Sequence, residues 1–307
     1  MSSNPANDRR VKFDFEVEFL NGGGLQGQDF RLDIEGDEVS DEMLADFIVR
    51  DLRLLMAGPV RILNKEVIVE RHKRGALSPG HHDSEPGRRL VDLSHTIEAG
   101  MITYKGLPAP IVCDYLSRTA SRAQYAEGTE FQIGRIDMVA NTGTYLDSPF
   151  HRFADGRDLS QLDLHSLADL PGVTVRVTGL EGRAIGRSAF AAVEEVRGKA
   201  ILVHTGWAEH WRTDRYFEGH PFLTIDAAEY LRDAGATLVG IDSLNIDDTT
   251  RGDRPVHTTL LGAGIPIVEH LRGLEQLPIT GFRFSAVPVK VKDMGTFPVR
   301  AYAAWEA

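Results

Sequence analysis

Met138-Val139-Ala140-Asn141-Thr142-Gly143-Thr144-Tyr145-Leu146-Asp147-Ser148-Pro149-Phe150-His151 brings an amide, a phenol, a carboxylate and an imidazole into the eleven residues from Asn141 to His151. Gly143 allows a tight backbone path, and Pro149 fixes φ ahead of the histidine. Thr-Gly-Thr and Ser-Pro both oppose a helix, so the stretch reads as a strand running into an ordered loop. In an extended chain residues 141, 143, 145 and 147 point to one side, which would put Asn141, Tyr145 and Asp147 on one face, with His151 returning after the turn. Two readings stay open: one wall of an active site, or a polar loop whose Asn and Asp satisfy turn backbone.

The segments around it read mostly as strands. Strands at 111–116 and 131–139 lead in, and Val173, Val175 and Val177 mark another. Ser188 to Arg197 reads as a helix closed by Gly198, and Ala200 to His204 as a short buried strand. Thr224 can cap a helix over 225–234 that ends at Gly235, after which Ala236 to Asp242 returns as a strand. The tail is strand-like over 282–291 and 299–305. Many strands with a few short helices argue for an α+β class, with a mixed sheet or barrel core over residues 90–307.

Upstream, Phe13, Phe15, Val17 and Phe19 alternate with Asp14, Glu16 and Glu18, the period of a half-buried strand. Asn21-Gly22-Gly23-Gly24 reads as a hairpin loop, because no helix bearing Lys-Ser/Thr follows to make a phosphate cradle. Phe30, Leu32 and Ile34 alternate again. Ser40 caps a helix carrying Met43, Leu44, Phe47, Ile48, Leu52 and Leu55, which Gly58-Pro59 stops, and a strand follows over 60–70. Residues 1–72 thus form a small ββαβ domain behind a frayed start at 1–10, with a structural part to play: packing, an oligomer contact or a lid. Residues 73–89, rich in Gly, Pro and charge, form a flexible linker in which His81-His82-Asp83 is solvated rather than a metal site.

The chain has 307 residues and a formal net charge of −11. That balance opposes broad attraction to nucleic acid or anionic lipid. A single cysteine, Cys113, permits no intrachain disulfide, and the N-terminus has no apolar signal core. No run is long enough to span a membrane. The expected setting is the cytoplasm, with a small-molecule partner.

Two further segments carry chemistry. His257 and Glu269 flank an apolar, Gly-rich run, while Asp242, Ser243 and Asn245 emerge from the end of a buried strand. Alone, His257 reads as a surface or hydrogen-bonded histidine and Asp242 as a turn cap. Trp207, Trp211, Tyr216 and Phe217 either line a pocket suited to a planar or cyclic substrate or pack in the core. The chain has no Gly-x-Ser-x-Gly, which sets a serine hydrolase aside.

Taken together, residues 90–307 resemble the cyclase-like metal hydrolases that include bacterial kynurenine formamidase and isatin hydrolase. The resemblance rests on Val-Asp-Leu-Ser-His at 91–95, the Gly-Thr and Asp-x-Pro-x-His of the opening stretch, Val-His-Thr-Gly-Trp at 203–207 and Val-Gly-Ile-Asp-Ser at 239–243. His257, Glu269 and Pro-Val-Lys-Val at 288–291 complete it. That family carries His-x-Gly-Thr-His-x-Asp-x-Pro-x-His, whose first two histidines and aspartate bind a divalent metal. In two-metal members the aspartate, the last histidine, a later histidine and a later glutamate hold a second ion. Here Asn141 and Tyr145 replace the first two histidines, whereas Asp147, His151, His257 and Glu269 match the second set. Asn and neutral Tyr are weak ligands for zinc or manganese, so the resemblance implies one divalent ion in the second site, or none. It also implies a homo-oligomer.

Three functional expectations follow. The first is a hydrolase that opens a linear or cyclic amide, or a lactone, of a small aromatic or cyclic substrate by attack of activated water on the carbonyl. Its catalytic residues are His151, Tyr145 and Asn141, its metal residues Asp147, His151, His257 and Glu269, and its substrate-binding residues Trp207, Trp211, Asp242 and Ser243. The second is a metal-independent cyclase, isomerase or lyase of a specialised pathway, with His151 as base, Tyr145 as acid and Asn141 as oxyanion donor. The third is a non-catalytic binding relative.

Overall fold

A computed structural model describes residues 9–20, 24–34, 38–51, 57–69, 87–179 and 181–306. The chain divides into two compact units, Met1–Asp83 and Ser84–Ala307. In the first, β1 (Arg9–Phe19), β2 (Gly24–Asp33) and β3 (Ala57–Val69) pair antiparallel in the order β2-β1-β3. The alternation in β1 buries Val11, Phe13, Phe15 and Val17, which pack with Leu44 and Ile48 of α1 (Asp41–Asp51). Ser40 Oγ accepts from the Met43 amide at 3.1 Å, the cap its position predicts. The ββαβ order is therefore as read, with one correction. Gly58 and Pro59 do not stop the helix; they lie inside β3. A Cβ at Gly58 would stand 2.7 Å from the Glu18 carbonyl oxygen, so glycine is needed where the two strands approach. Residues 1–8, residues 21–23 of the expected hairpin loop, Leu52, Leu55 and the segment 70–86 with His81, His82 and Asp83 lie outside the described residues.

The second unit begins with β4 (Arg88–Asp92) and a hairpin of β5 (Ile111–Leu116) and β6 (Ile133–Asp137), with the short α2 (Arg118–Ser121) between its strands. There follow β7 (Tyr145–Asp147), β8 (Leu170–Arg176), β9 (Ala184–Ile185), β10 (Ala200–His204) and β11 (Phe222–Leu223). Next come α3 (Ile225–Asp233), β12 (Leu238–Ile241), α4 (Pro255–Gly262) and β13 (Ile267–Glu269). The chain closes with β14 (Phe282–Ser285), β15 (Thr296–Pro298) and β16 (Tyr302–Glu306).

Nine of these strands form one curled, half-barrel sheet in the order β15-β7-β13-β12-β10-β8-β14-β16-β4. Its centre, β13-β12-β10-β8, is parallel and its flanks are antiparallel. Alternate residues split the core into two layers. Ile201, Val203, Val239, Ile241 and Ile267 pack with Ala227, Ala228 and Leu231 of α3 and Val256 and Leu260 of α4. Leu146, Ala200, Leu202, Leu238 and Val268 belong to the layer on the other face. Full burial of each such aliphatic contributes about 1.5–3 kcal/mol, enough to overrule weak local propensity. Thr224 sits at the N-cap position of α3, but its hydroxyl donates to the Ile185 carbonyl rather than accepting from the helix.

The segment 188–197 departs from expectation. It contains a 3-10 turn at Arg187–Phe190 and then further turns, with Ala191 N bonding Ser188 O and Val193 N bonding Phe190 O. Phe190, Val193 and Val196 are three apart and all pack on the core. The 3-10 turn ends at Phe190, and from there to Arg197 turns and irregular backbone carry Val193 and Val196 onto the core.

Candidate metal centre

The register of β7 between β13 and β15 builds the centre. Tyr145 lies opposite Glu269, and Asp147 lies opposite Thr296. Residues so paired are close cross-strand neighbours, and Tyr145 and Asp147 share a face because they are two apart. Tyr145 donates from its phenol to Glu269 Oε2 at 2.6 Å. Thr296 donates its hydroxyl to Asp147 Oδ1 and lies 2.8 Å from His151 Nδ1. A threonine hydroxyl has one proton, and here the carboxylate takes it. His151 Nδ1 is therefore the donor to Thr296, and Nε2 keeps the lone pair.

His257 arrives from the opposite side, on α4. Asp247 accepts from the amides of Val256 at 2.8 Å and His257 at 3.0 Å, which satisfies N–H groups that the start of a helix leaves unpaired. The same carboxylate accepts from His257 Nδ1 at 2.7 Å. Nε2 then faces Asp147 Oδ2 at 3.6 Å and Glu269 Oε1 at 3.7 Å. A carboxylate behind the far ring nitrogen is the usual way a metal-binding histidine is oriented.

Asp147, His151 and His257 each offer a ligand atom, all within 4.8 Å of one another. Asp147 is fully buried, and its Oδ2 has no hydrogen-bond partner. An unpaired carboxylate oxygen inside a protein is costly unless a cation meets it. Two imidazoles and a carboxylate form a donor set that zinc and manganese both accept while leaving positions open. The residues present therefore fit a divalent ion. Glu269 stands beside this set, its Oε1 accepting from the Ile246 amide at 2.6 Å and its Oε2 from Tyr145.

The electrostatics agree. Burial alone would lower the His257 pKa, but the carboxylates of Asp147, Asp247 and Glu269 outweigh it and lift it to about 10. Burial raises Glu269, and the negative charge of Asp147 adds to that shift. Burial, with Glu269 close by, pushes the phenols of Tyr104 and Tyr145 well above their usual 10, so both stay neutral donors. A positive charge belongs in this cluster, either as a proton on His257 or as a metal cation. Since His257 is protonated up to about pH 10, cation uptake must displace its proton. Affinity for Zn²⁺ or Mn²⁺ is therefore expected to rise by up to about tenfold per pH unit between pH 7 and 9, with proton release in calorimetry. A flat affinity across that range would contradict this.

A cleft of about 190 Å³ opens onto the cluster, and Tyr104, Asn141, Tyr145, His151, His257 and Glu269 line it. Asn141 reaches it differently from the straight strand expected. Gly143 adopts φ +67° and breaks the extended path, so only 145–147 is a strand and Asn141 comes in through a turn. Trp211 and Asp242 line a different cavity of about 540 Å³, together with His95 and His204. Asp242 accepts from the Thr205 amide and hydroxyl and from the Gly206 amide. Ser243 donates to the Pro221 carbonyl at 2.6 Å, and Trp207 is buried, donating from Nε1 to the Tyr216 carbonyl. None of these four lines the cleft that holds His151 and His257.

Tyr104, Asp247 and Thr296 also belong to the centre, though none was expected there from the sequence. Tyr104 donates to the Leu244 carbonyl at 2.6 Å and lies 2.9 Å from the Tyr145 hydroxyl, but a lone tyrosine far upstream carries no signal. Asp247 had one: it sits in Leu-Asn-Ile-Asp-Asp, ahead of a proline that can start a helix.

Comparison with known proteins places these observations in a family. Residues 91–248 match the family described as "Putative cyclase". The kynurenine formamidase of Geobacillus thermodenitrificans is 30% identical over 183 residues, 59% of this chain and 84% of that protein. That of Bacillus cereus is 27% identical over 175 residues, 57% and 81% respectively. A solved structure of a potential metal-dependent hydrolase with cyclase activity aligns with a TM-score of 0.59 at 27% identity, over 72% of this chain and 99% of that one. Isatin hydrolase A from Labrenzia aggregata, bound to benzyl benzoate, aligns with a TM-score of 0.62 at 20% identity over 72% and 94%, a likeness of fold.

Proposed function

Because this chain belongs to the cyclase family, we propose that it hydrolyses an amide or lactone bond in a small aromatic or cyclic substrate. The observation that carries this reading is the convergence of Asp147, His151 and His257 on the unpartnered Asp147 oxygen inside a cleft. Asp147, His151 and His257 would hold a divalent cation, which would supply the Lewis acidity for acidifying water and polarising a carbonyl. Asp247 aims His257, and Thr296 aims both Asp147 and His151. Glu269, raised by burial, takes the proton from the attacking water. Asn141 donates from its amide to the carbonyl oxygen as charge develops there.

The test is turnover of a panel of aryl formamides, lactams and lactones, lost on chelation and restored by Zn²⁺ or Mn²⁺. A protein that binds no divalent ion and leaves the panel untouched would overturn the reading. Full activity in chelator would transfer the reaction to a metal-free cycle with the His151 Nε2 lone pair as base. The neutral phenol of Tyr145, hydrogen-bonded where a ligand would be expected, is what favours that second reading.

We also read the chain as a homo-oligomer. The β5–β6 hairpin exposes Ile111, Val112, Phe131, Ile133 and Ile136, and a two-stranded ribbon with so much apolar surface is unstable by itself in water. Light scattering at micromolar concentration is expected to give twice the chain mass or more, and Ile136→Lys to shift it downward. A monomer at every concentration would refute this. Among the described residues no helix is long and apolar enough to cross a membrane. The lone free thiol, Cys113, supports the cytoplasm as the compartment. We assign residues 1–72 to a separate structural domain joined through 73–89.

A further inference from the structure

The parallel strands β8, β10 and β12 end side by side, at Arg176, His204 and Ile241. In open α/β sheets, ligands bind outside the carboxyl ends of parallel strands. The same ends here face the cavity of about 540 Å³, which lies within the range of roughly 300–1,000 Å³ usual for small-molecule sites. His95, His204, Trp211, Asp242 and Arg272 are among its lining residues, and the hydrolytic reading uses none of them.

Arg176 sits opposite His204 in the β8–β10 register, and its Nη1 lies 3.2 Å from His204 Nδ1. A guanidinium has only protons to give, so Nδ1 accepts and the ring proton is carried on Nε2. Arg176 is itself fixed by donation from Nη2 to the Leu277 carbonyl at 2.6 Å. The His204 side chain is 9% exposed, and Nε2 stands 4.0 Å from Asp242 Oδ2, too far for a hydrogen bond. His204 is thus a buried N–H donor without an acceptor among the described residues. A metal ion does not fit here, because Nε2 has no lone pair to offer while Arg176 occupies Nδ1.

Asp242 supplies the complement. Its Oδ1 accepts from the Thr205 amide at 2.7 Å and hydroxyl at 2.6 Å, and its Oδ2 from the Gly206 amide at 2.9 Å. A carboxylate oxygen can accept two such bonds, so Oδ2 keeps one acceptor position. One N–H donor and one carboxylate acceptor therefore lie 4.0 Å apart in the cavity. Beside them the His95 ring stacks on Trp211, with 3.9 Å between centroids and 11° between planes, and forms a flat wall. Burial and the nearby Arg272 bring the His95 pKa down to about 3, so that wall is uncharged at neutral pH.

We propose that this cavity is a second ligand site, which takes a planar ring by the edge of a primary or cyclic amide. The amide carbonyl accepts from His204 Nε2, and the N–H on the same edge donates to Asp242 Oδ2. A primary or ring amide carries both groups on one side, whereas a trans open-chain amide does not. A carboxylate would accept from His204 but repel Asp242. An amidinium would donate to Asp242 but meet the His204 proton. The site stands independently of the hydrolytic reading.

The test titrates the full chain with benzamide, benzoate and benzamidine, three probes of one size, by calorimetry and by the fluorescence of Trp211 in the wall. Benzamide should bind about tenfold or more tighter than either of the others, the worth of one mismatched hydrogen bond at a buried group. Arg176→Met frees Nδ1 to carry the proton and lets Nε2 accept, so the advantage of benzamide over benzamidine should shrink about tenfold. His204→Phe should weaken benzamide about tenfold; if that variant does not fold, Arg176→Met decides alone. Benzoate or benzamidine bound as tightly as benzamide, or no binding of any probe, would overturn the site. So would a benzamide preference unchanged in Arg176→Met, or equal benzamide affinity in a folded His204→Phe protein.

Discussion

Replacing His257 with alanine is expected to abolish divalent-cation binding and to lower amide or lactone hydrolysis by about a thousandfold or more. The physical reason is that His257 is the buried base among buried acids. Asp147, Asp247 and Glu269 are each at most 1% exposed, and all three face this imidazole. Alanine leaves those carboxylates without a positive partner, which should also remove about 3–5 kcal/mol of folding stability, read by chemical denaturation. Asp247→Asn provides the milder comparison. It retains the imidazole but weakens the group that aims it, so a loss of about 10–100-fold in metal affinity is expected. A His257→Ala protein that still binds Zn²⁺ or Mn²⁺ as the wild type does would remove the proposed centre.

Restoring imidazoles at Asn141 and Tyr145 is expected to change the metal stoichiometry. In the wild type both tyrosine phenols are neutral, and Tyr145 spends its proton on Glu269 at 2.6 Å. Neutral phenol and amide are poor ligands, so this side of Asp147 serves as a hydrogen-bonded wall. The double variant Asn141→His/Tyr145→His places two good ligands beside the same aspartate and should take up a second ion, read as metal per chain by elemental analysis. A folded double variant that still holds one ion would show that the wall is shaped by more than those two side chains. Tyr145→Phe separates the hydroxyl from the ring. It removes a charge-assisted hydrogen bond to a buried carboxylate and should cost about 1.5–3 kcal/mol of stability.

How far the chain could be read before folding varies with the range of the interaction. Alternation in β1, the serine cap at Ser40 and the apolar strand Ala200–His204 were legible because each depends on neighbours in sequence. The helix expected at 188–197 failed because tertiary burial of Phe190, Val193 and Val196 set the local geometry. Asn141 and Tyr145 were expected on one straight strand, and a single positive φ at Gly143 bends that path.

The α+β class, the strand alternation and the chemical types available near 141–151 follow from the order of residues alone, since side-chain periodicity and backbone sterics act over a few residues. The absence of two imidazoles of the family pattern, at Asn141 and Tyr145, is equally plain there. Which groups meet is a matter of long-range packing. Tyr145 touches Glu269 because β7 lies antiparallel to β13, in a register whose partners are more than a hundred residues apart in the chain. Tyr104 and Thr296 likewise meet Tyr145 and His151 from 41 and 145 residues away, whereas Asp247 reaches His257 from ten. Their roles are set by contacts between strands and loops, which packing of the whole sheet creates.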